Sequence, residues 1–244
     1  MKNQYFADAG DHGKYGFLRY LSSNGIRIAI NWYLTADDGS KDGRHIGYLS
    51  KSIEREKDPA LFDFLKKCIS ENNRTVKAIE ESAIIENAVF YSDILDVSKC
   101  NTTIEKQQFR RNWHIKGLET CKMAALVFID PDNGIKTDTT KGLNEAVKYA
   151  FTSEIADYFN RGQNVVYYCS KARRSEYDWD GYKHIMSKFL PDGKLFAMTF
   201  HGGTQRTYIF VLHQESYILY KDLLLTFLES KWRFGNNRFT FEAI

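Results

Sequence analysis

Apolar positions along this chain fall into two alternating periods, one near 3.6 residues and one that is short and nearly continuous. Tyr15, Phe17, Leu18 and Leu21 keep helical spacing, and Asn24-Gly25 follows as a C-terminal cap would, so a helix is predicted over 14–24. Ile26 to Leu34 is an almost unbroken apolar run rich in branched and aromatic residues, the pattern of a buried central strand. It empties into a polar loop, Thr35 to His45. Asp58 as N-cap and Pro59 in the first turn start a helix that runs to about Ile69. Thr75–Ile79 and Ala88–Tyr91 read as short strands, 104–122 as an amphipathic basic helix, and Ala124–Ile129 as the clearest strand, ending at Asp130.

A helix is predicted over 143–160, closed by Arg161-Gly162, and then a strand over Asn164–Cys169. Another helix spans about 176–189. Lys194–Phe200 and Thr207–Leu212 form a hairpin around the loop His201 to Arg206, and a helix near 216–230 with a short final strand completes the order. Strands alternating with helices predict a Rossmann-like α/β fold, a mostly parallel sheet flanked by helices with an antiparallel C-terminal edge. At 244 residues with no linker-like stretch, a single domain over 1–244 is expected.

Composition changes this picture little. The chain is 43% hydrophobic and 27% charged, which excludes disorder, and its net charge of +3 does not by itself mark a nucleic-acid binder. Cys68, Cys100, Cys121 and Cys169 lack the spacing of a zinc site or a disulfide framework and read as reduced thiols. No run approaches the roughly 18 apolar residues of a membrane span, and the N-terminus lacks a leader's apolar core. A cytoplasmic protein with no membrane partner is expected.

In open α/β sheets ligands bind outside the carboxyl ends of the strands. That rule selects the loops after Leu34, Tyr91, Ile129 and Cys169, and with them Asp38, Gly39, Asp93, Asp130, Asp132 and Asn133. In Asp130-Pro-Asp-Asn-Gly134 the proline fixes the backbone directly after the strand, a rigid crook able to accept both protons of an exocyclic amine. The competing reading is a turn chosen for turn propensity alone. Near the N-terminus, Asp11, His12 and Lys14 stand at the start of the first helix. Asp11 is either a plain N-cap or part of a loop that brings Asp11, His12 and Lys14 to the same ligand as Asp130. In the second case Lys14 reaches an anionic group, and its loss weakens binding without much loss of stability. Arg206 with His201-Gly-Gly is either an ordinary hairpin loop or a phosphate-positioning turn.

The segment order resembles a class I S-adenosylmethionine-dependent methyltransferase, in particular the bacterial ribosomal RNA adenine-N6 methyltransferases. Phe6-Ala-Asp-Ala-Gly-Asp-His-Gly-Lys14 is similar to the opening loop and lysine-bearing helix of those enzymes, and Leu126-Val-Phe-Ile-Asp-Pro-Asp-Asn133 to their Asp-Pro-Pro-Tyr motif. Here Asp132 replaces the second proline and Asn133 the aromatic residue that sandwiches the base. The likeness is motif-like over only some twenty residues. The signatures at Gly10-Asp11, Lys14-Tyr15, Asp42-Gly-Arg-His45 and Asp130-Pro-Asp-Asn-Gly134 also resemble those of a bacterial family without an assigned activity.

The resemblance implies S-adenosylmethionine as cofactor, an amine of a nucleic-acid base as substrate, and Asp130, Asp132, Asn133 and Lys14 as catalytic residues. Asp11, His12, Asp38, Gly39 and Asp93 would then bind the cofactor. Two other readings stay open. One is a nuclease or phosphodiesterase in which Asp130, Asp132 and Glu154 hold Mg²⁺, an ion suited to hard oxygen ligands. The other is an inactive nucleic-acid-binding module that uses the basic helix over 104–122.

Overall fold

The long apolar runs pair into one sheet because only there are their backbone amides satisfied on both sides. The computed structural model describes residues 1–40, 42–138 and 142–244, so that Lys41 of the first polar loop lies outside the described residues. Its strands are β1 (Ile28–Asn31), β2 (Val89–Tyr91) and β3 (Leu126–Ile129), then a separate ribbon of β4 (Ile135–Lys136) and β5 (Ala150–Phe151), then β6 (Asn164–Cys169), β7 (Lys194–Gly202), β8 (Thr204–Leu212) and β9 (Arg238–Ala243). The main sheet has the order β2-β1-β3-β6-β8-β7-β9. β2, β1, β3 and β6 are parallel, and β8, β7 and β9 continue as antiparallel neighbours. The mixed α/β sheet with an antiparallel C-terminal side is as the sequence pattern predicts.

The helices are α1 (Ala9–Ser23), α2 (Ser52–Arg55), α3 (Pro59–Ser70), α4 (Val76–Glu81), α5 (Thr103–Thr120), α6 (Leu143–Ala146), α7 (Thr152–Asn160), α8 (Glu176–Lys183) and α9 (Gln214–Glu229). Strand residues alternate faces, so parity sorts the core. Ile28, Ile30, Phe128, Val166, Phe196, Met198, Tyr208 and Phe210 face the layer of α1, α3, α4 and α9. Ala29, Val127, Ile129, Val165, Tyr167, Ile209 and Val211 face α5, α7 and α8. Among the described residues no helix is long and apolar enough to cross a membrane.

Several predicted elements differ from those observed. The helix predicted over 14–24 begins already at Ala9, because Asp8 caps it. Thr75–Ile79 is not a strand, because Val76 and Ile79, three apart, both bury one helical face and α4 forms there. The predicted helix over 143–160 is split: Glu154 turns back to accept the Phe151 N–H at 2.8 Å and restarts a helix at Thr152, leaving β5 between α6 and α7. The helix predicted over 176–189 ends at Lys183 and continues only as a 3₁₀ turn over Ile185–Lys188. The loop His201 to Arg206 is mostly strand. Phe200 pairs with Arg206 and His201 with Gln205, and the chain reverses about Gly203, whose φ of +70° suits glycine.

Candidate functional site

The chain leaves β1 for β2 on one side and returns to β3 on the other, so the loops after β1 and β3 diverge and open a crevice at the carboxyl edge. A cavity of about 190 Å³ lies there. Its walls come from the N-terminal segment and α1, the loops after β1 and β3, and Tyr168, Arg206 and Tyr208 of β6 and β8. Apolar parity explains the last three and Asp130 together. They continue, at even positions, the rows of large side chains beneath α1, so a polar residue at that end of a row faces the crevice.

Asp8, and not Asp11, caps α1, its Oδ1 accepting the Gly10 and Asp11 N–H groups at 2.9 and 3.0 Å. That shift of the helix start places Asp11 and Lys14 inside the first turns, three residues apart on one face. Lys14 Nζ lies 2.7 Å from Asp11 Oδ1 and 2.6 Å from Asp130 Oδ2, all three side chains being buried. Asp11 Oδ2 also accepts Tyr15 OH at 3.0 Å and the Ala7 N–H at 3.2 Å. Burial pushes the Asp130 and Asp11 carboxyls up against the opposing pull of Lys14. Lys14 is held above its ordinary value although burial alone would lower it, because Asp11 and Asp130 both favour its charge. Arg206 closes the neighbouring wall, NH2 lying 2.7 Å from Asp8 Oδ2. A Cβ at Gly10 would stand 1.8 Å from the Arg206 guanidinium carbon, so this contact requires glycine there.

On the other wall the chain's own first residue is docked. The Met1 nitrogen donates to Asp130 O at 2.9 Å and Tyr33 O at 3.2 Å and lies 2.7 Å from Asp132 Oδ1, while Met1 O accepts the Thr35 N–H at 2.9 Å. Tyr33 holds a positive φ of 45°, a costly conformation for a non-glycine residue at the end of β1 that aims its carbonyl inward. Lys2 Nζ bridges Asp38 at 2.6 Å and Asp132 at 3.5 Å. Burial alone would raise the Asp132 carboxyl, but the Met1 amino group and Lys2 outweigh it and hold the carboxyl below its ordinary value.

Asp11, Lys14 and Asp130, more than a hundred residues apart in sequence, thus meet at one cavity. Asp132 lines the cavity too, its carboxylate held by the Met1 and Lys2 nitrogens. Other predicted site residues stand apart from it. Asn133 is exposed, and its N–H bonds to Lys148 O at 2.9 Å, so it does not stand in for a stacking aromatic. His12 is fully buried, stacked on Tyr48 at 4.7 Å and beside Trp232 at 4.8 Å, and burial there lowers its pKa to about 3. It is a neutral core residue outside the cavity lining. Asp38 and Gly39 lie in the exposed loop after β1, outside the cavity lining, and Asp93 is exposed and pairs with Lys116 at 3.5 Å beside α5.

Glu154 belongs to a separate buried cluster, bound to Arg110 at 2.7 Å and to Tyr33 OH at 3.0 Å. Asp130, Asp132 and Glu154 therefore do not converge. Among the described residues no group of three His, Cys, Asp or Glu is placed to hold a metal. The nitrogens of Lys14 and Met1 already stand where a cation would meet Asp130 and Asp132. Lys14, shared by two carboxylates, has no charge to spare for an anionic ligand.

Tyr208 and Met1 escaped the reading of the sequence, and Arg206 was placed in a hairpin loop. Arg206 carried a usable signal, since it shares parity with Tyr208, Phe210 and Leu212, a charge on an otherwise apolar face. No family model matches the chain, and no curated protein matches it. One solved structure that matches is the crystal structure of protein LPL1258 from Legionella pneumophila str. Philadelphia 1, family-model DUF519. That match covers 98% of this chain and 97% of that one at 12% identity, with a TM-score of 0.49.

Proposed function

We propose that the protein is a methyltransferase-like enzyme that uses S-adenosylmethionine to modify an amine of a nucleic-acid base. The observation that carries this reading is the state of Asp130. One carboxylate oxygen is anchored by Lys14 at 2.6 Å, while Oδ1 has no partner among the described residues and belongs to a side chain that lines the cavity. Pro131 stiffens the backbone immediately after it. The cavity, at about 190 Å³, is smaller than the roughly 300–1,000 Å³ of sites for drug-sized ligands and suits a single planar heterocycle between Tyr5, Tyr168 and Tyr208. An exocyclic amine there donates to Oδ1 and is held in one orientation, and proximity supplies most of the acceleration.

Met1 tests the fit of the cofactor. A methionine nitrogen already rests on Tyr33 O, Asp130 O and the Asp132 carboxylate, and a methionine carbonyl on the Thr35 N–H. These groups fit the methionine part of S-adenosylmethionine, with Asp132 carrying its ammonium, once Met1 and Lys2 leave them. The cofactor, when bound, supplies an electrophilic methyl group on a sulfonium. The protein's part is to align the amine with Asp130 and to exclude water from the cavity.

Thermal melting of the full chain with S-adenosylmethionine, S-adenosylhomocysteine, Mg²⁺ and Mn²⁺ tests the reading. A ligand at a hundred times its Kd stabilises the native state by about 2.7 kcal/mol. Both sulfur ligands are expected to raise Tm and neither metal to do so. A rise with the metals alone would favour the nuclease, and no rise with any of the four would overturn the proposal.

A further inference from the structure

We infer that Asp130 is the proton acceptor of the cavity and that Asp11, acting through Lys14, is the fixed counter-ion that makes it one. Only the identity of the proton donor rests on the methyltransferase reading. Asp8 pairs with Arg206, Asp132 with the Met1 amino group, and Lys2 with Asp38, each within 2.7 Å. Asp11 and Asp130 share the single ammonium of Lys14. Tyr168 and Tyr208, which face Asp130 from β6 and β8, are neutral phenols, and burial raises both further. The buried groups that line the cavity, Asp8, Asp11, Asp130 and Asp132 against Lys14, Arg206 and the Met1 amino group, therefore carry one negative charge beyond what their cations balance. Taking up one proton leaves them neutral, which burial favours.

Hydrogen bonding decides which carboxylate takes that proton. Asp11 receives Lys14 on Oδ1 and both Tyr15 OH and the Ala7 N–H on Oδ2, so both of its oxygens are engaged as acceptors and its anion is stabilised. Asp130 receives Lys14 on Oδ2 alone and presents Oδ1 in the cavity wall. A proton arriving from the cavity meets Asp130 first and displaces no hydrogen bond there. The chemistry balances. When an amine nitrogen attacks the methyl carbon of a sulfonium donor, an N–C bond forms and the C–S bond breaks with its electron pair on sulfur. The nitrogen is left cationic. Its N–H proton then bonds to Asp130 Oδ1 while the pair stays on nitrogen, and the Asp11–Lys14 ion pair remains behind.

The test is a titration of the full chain labelled with ¹³C at the aspartate carboxyls, followed by NMR from about pH 4 to about pH 9, with the Asp130 and Asp11 signals assigned by their loss in Asp130→Asn and Asp11→Asn. In the wild type Asp130 is expected to titrate above the ordinary carboxylate value of about 3.9 and at a higher pH than Asp11. In Asp11→Asn, where Asp130 is alone with Lys14, its midpoint should fall by about one pH unit or more. A wild type in which Asp11 takes up its proton at a higher pH than Asp130, or an Asp130 midpoint that stays or rises in Asp11→Asn, overturns the inference. Should Asp11→Asn fail to fold, the wild-type curve with the Asp130→Asn assignment still shows whether Asp130 takes the proton. If Asp130 behaves as described but S-adenosylmethionine does not bind, the methyltransferase reading falls and the proton acceptor stands.

Discussion

Two buried residues near the start of α1 have opposite roles, and substitution separates them. Lys14 neutralises two carboxylates that burial already disfavours, so Lys14→Met is expected to cost about 3–5 kcal/mol at neutral pH, because it strands their charge. The buried pairing thus predicts a larger cost than the sequence pattern does, which expects loss of Lys14 to spare stability. In the variant both folded-state carboxyl pKa values lie above their unfolded ones. The folded state then binds more protons, so part of the loss returns as pH falls toward the unfolded carboxylate range. Urea denaturation at neutral and mildly acid pH measures both effects, and a small loss that is indifferent to pH would contradict the pairing.

His12 titrates in the other sense. Its folded pKa is lowered to about 3 by burial and by Lys57, against about 6.5 unfolded, so its stability contribution is intact above about 6.5 and is lost as pH falls toward 3. The slope is at most about 1.4 kcal/mol per pH unit. His12→Phe keeps the stacking on Tyr48 and should flatten that part of the stability curve relative to wild type. An unchanged slope would place the imidazole elsewhere than in the core. From sequence, His12 and Asp11 are equivalent polar neighbours. Only the helix start, fixed by Asp8 one turn earlier than the apolar spacing suggests, decides which of them faces the aromatic nest and which the cavity.

At the scale of elements, α1 is shaped by what lies against it. Gly10, Gly13 and Gly16 recur at helical spacing, and side chains at these positions would run into Arg206, Phe200 and Trp232. Each glycine costs the helix roughly 1 kcal/mol relative to alanine, so the close packing must offset that. Gly10→Ala is expected to lose about 1–3 kcal/mol by overpacking, and much less in an Arg206→Ala background, where the space is vacated. Equal losses in both backgrounds, measured by a double-mutant cycle, would show that the helix and not the guanidinium sets the requirement.

The strands were legible because continuous apolar runs of branched residues have few other places to go, and β3 and β6 come out nearly where their patterns end. The stretch over 143–160 was not, because its break depends on Glu154, whose partners are Arg110 from α5 and Tyr33 from the loop after β1. Those contacts have no local trace in the sequence. Asp130 was legible for the reason that it ends a strand; the docking of Met1 against it, across the whole fold, was not.

Over the whole molecule, the buried charged side chains around the cavity pair off with their neighbours and leave a single buried carboxylate oxygen, Asp130 Oδ1, without a protein partner among the described residues. The sheet order delivers it there, since the crevice between the diverging loops of β1 and β3 is where α1 can reach the carboxyl edge. Transfer of labelled methyl from S-adenosylmethionine to single-stranded nucleic acid, by the wild-type chain and by Asp130→Asn, tests the proposed hold of this oxygen on an amine next to a methyl donor. Incorporation at an exocyclic amine is expected from the wild type, and a loss of about 100-fold or more in the variant, with Tm essentially unchanged. Incorporation by Asp130→Asn at the wild-type rate would contradict it.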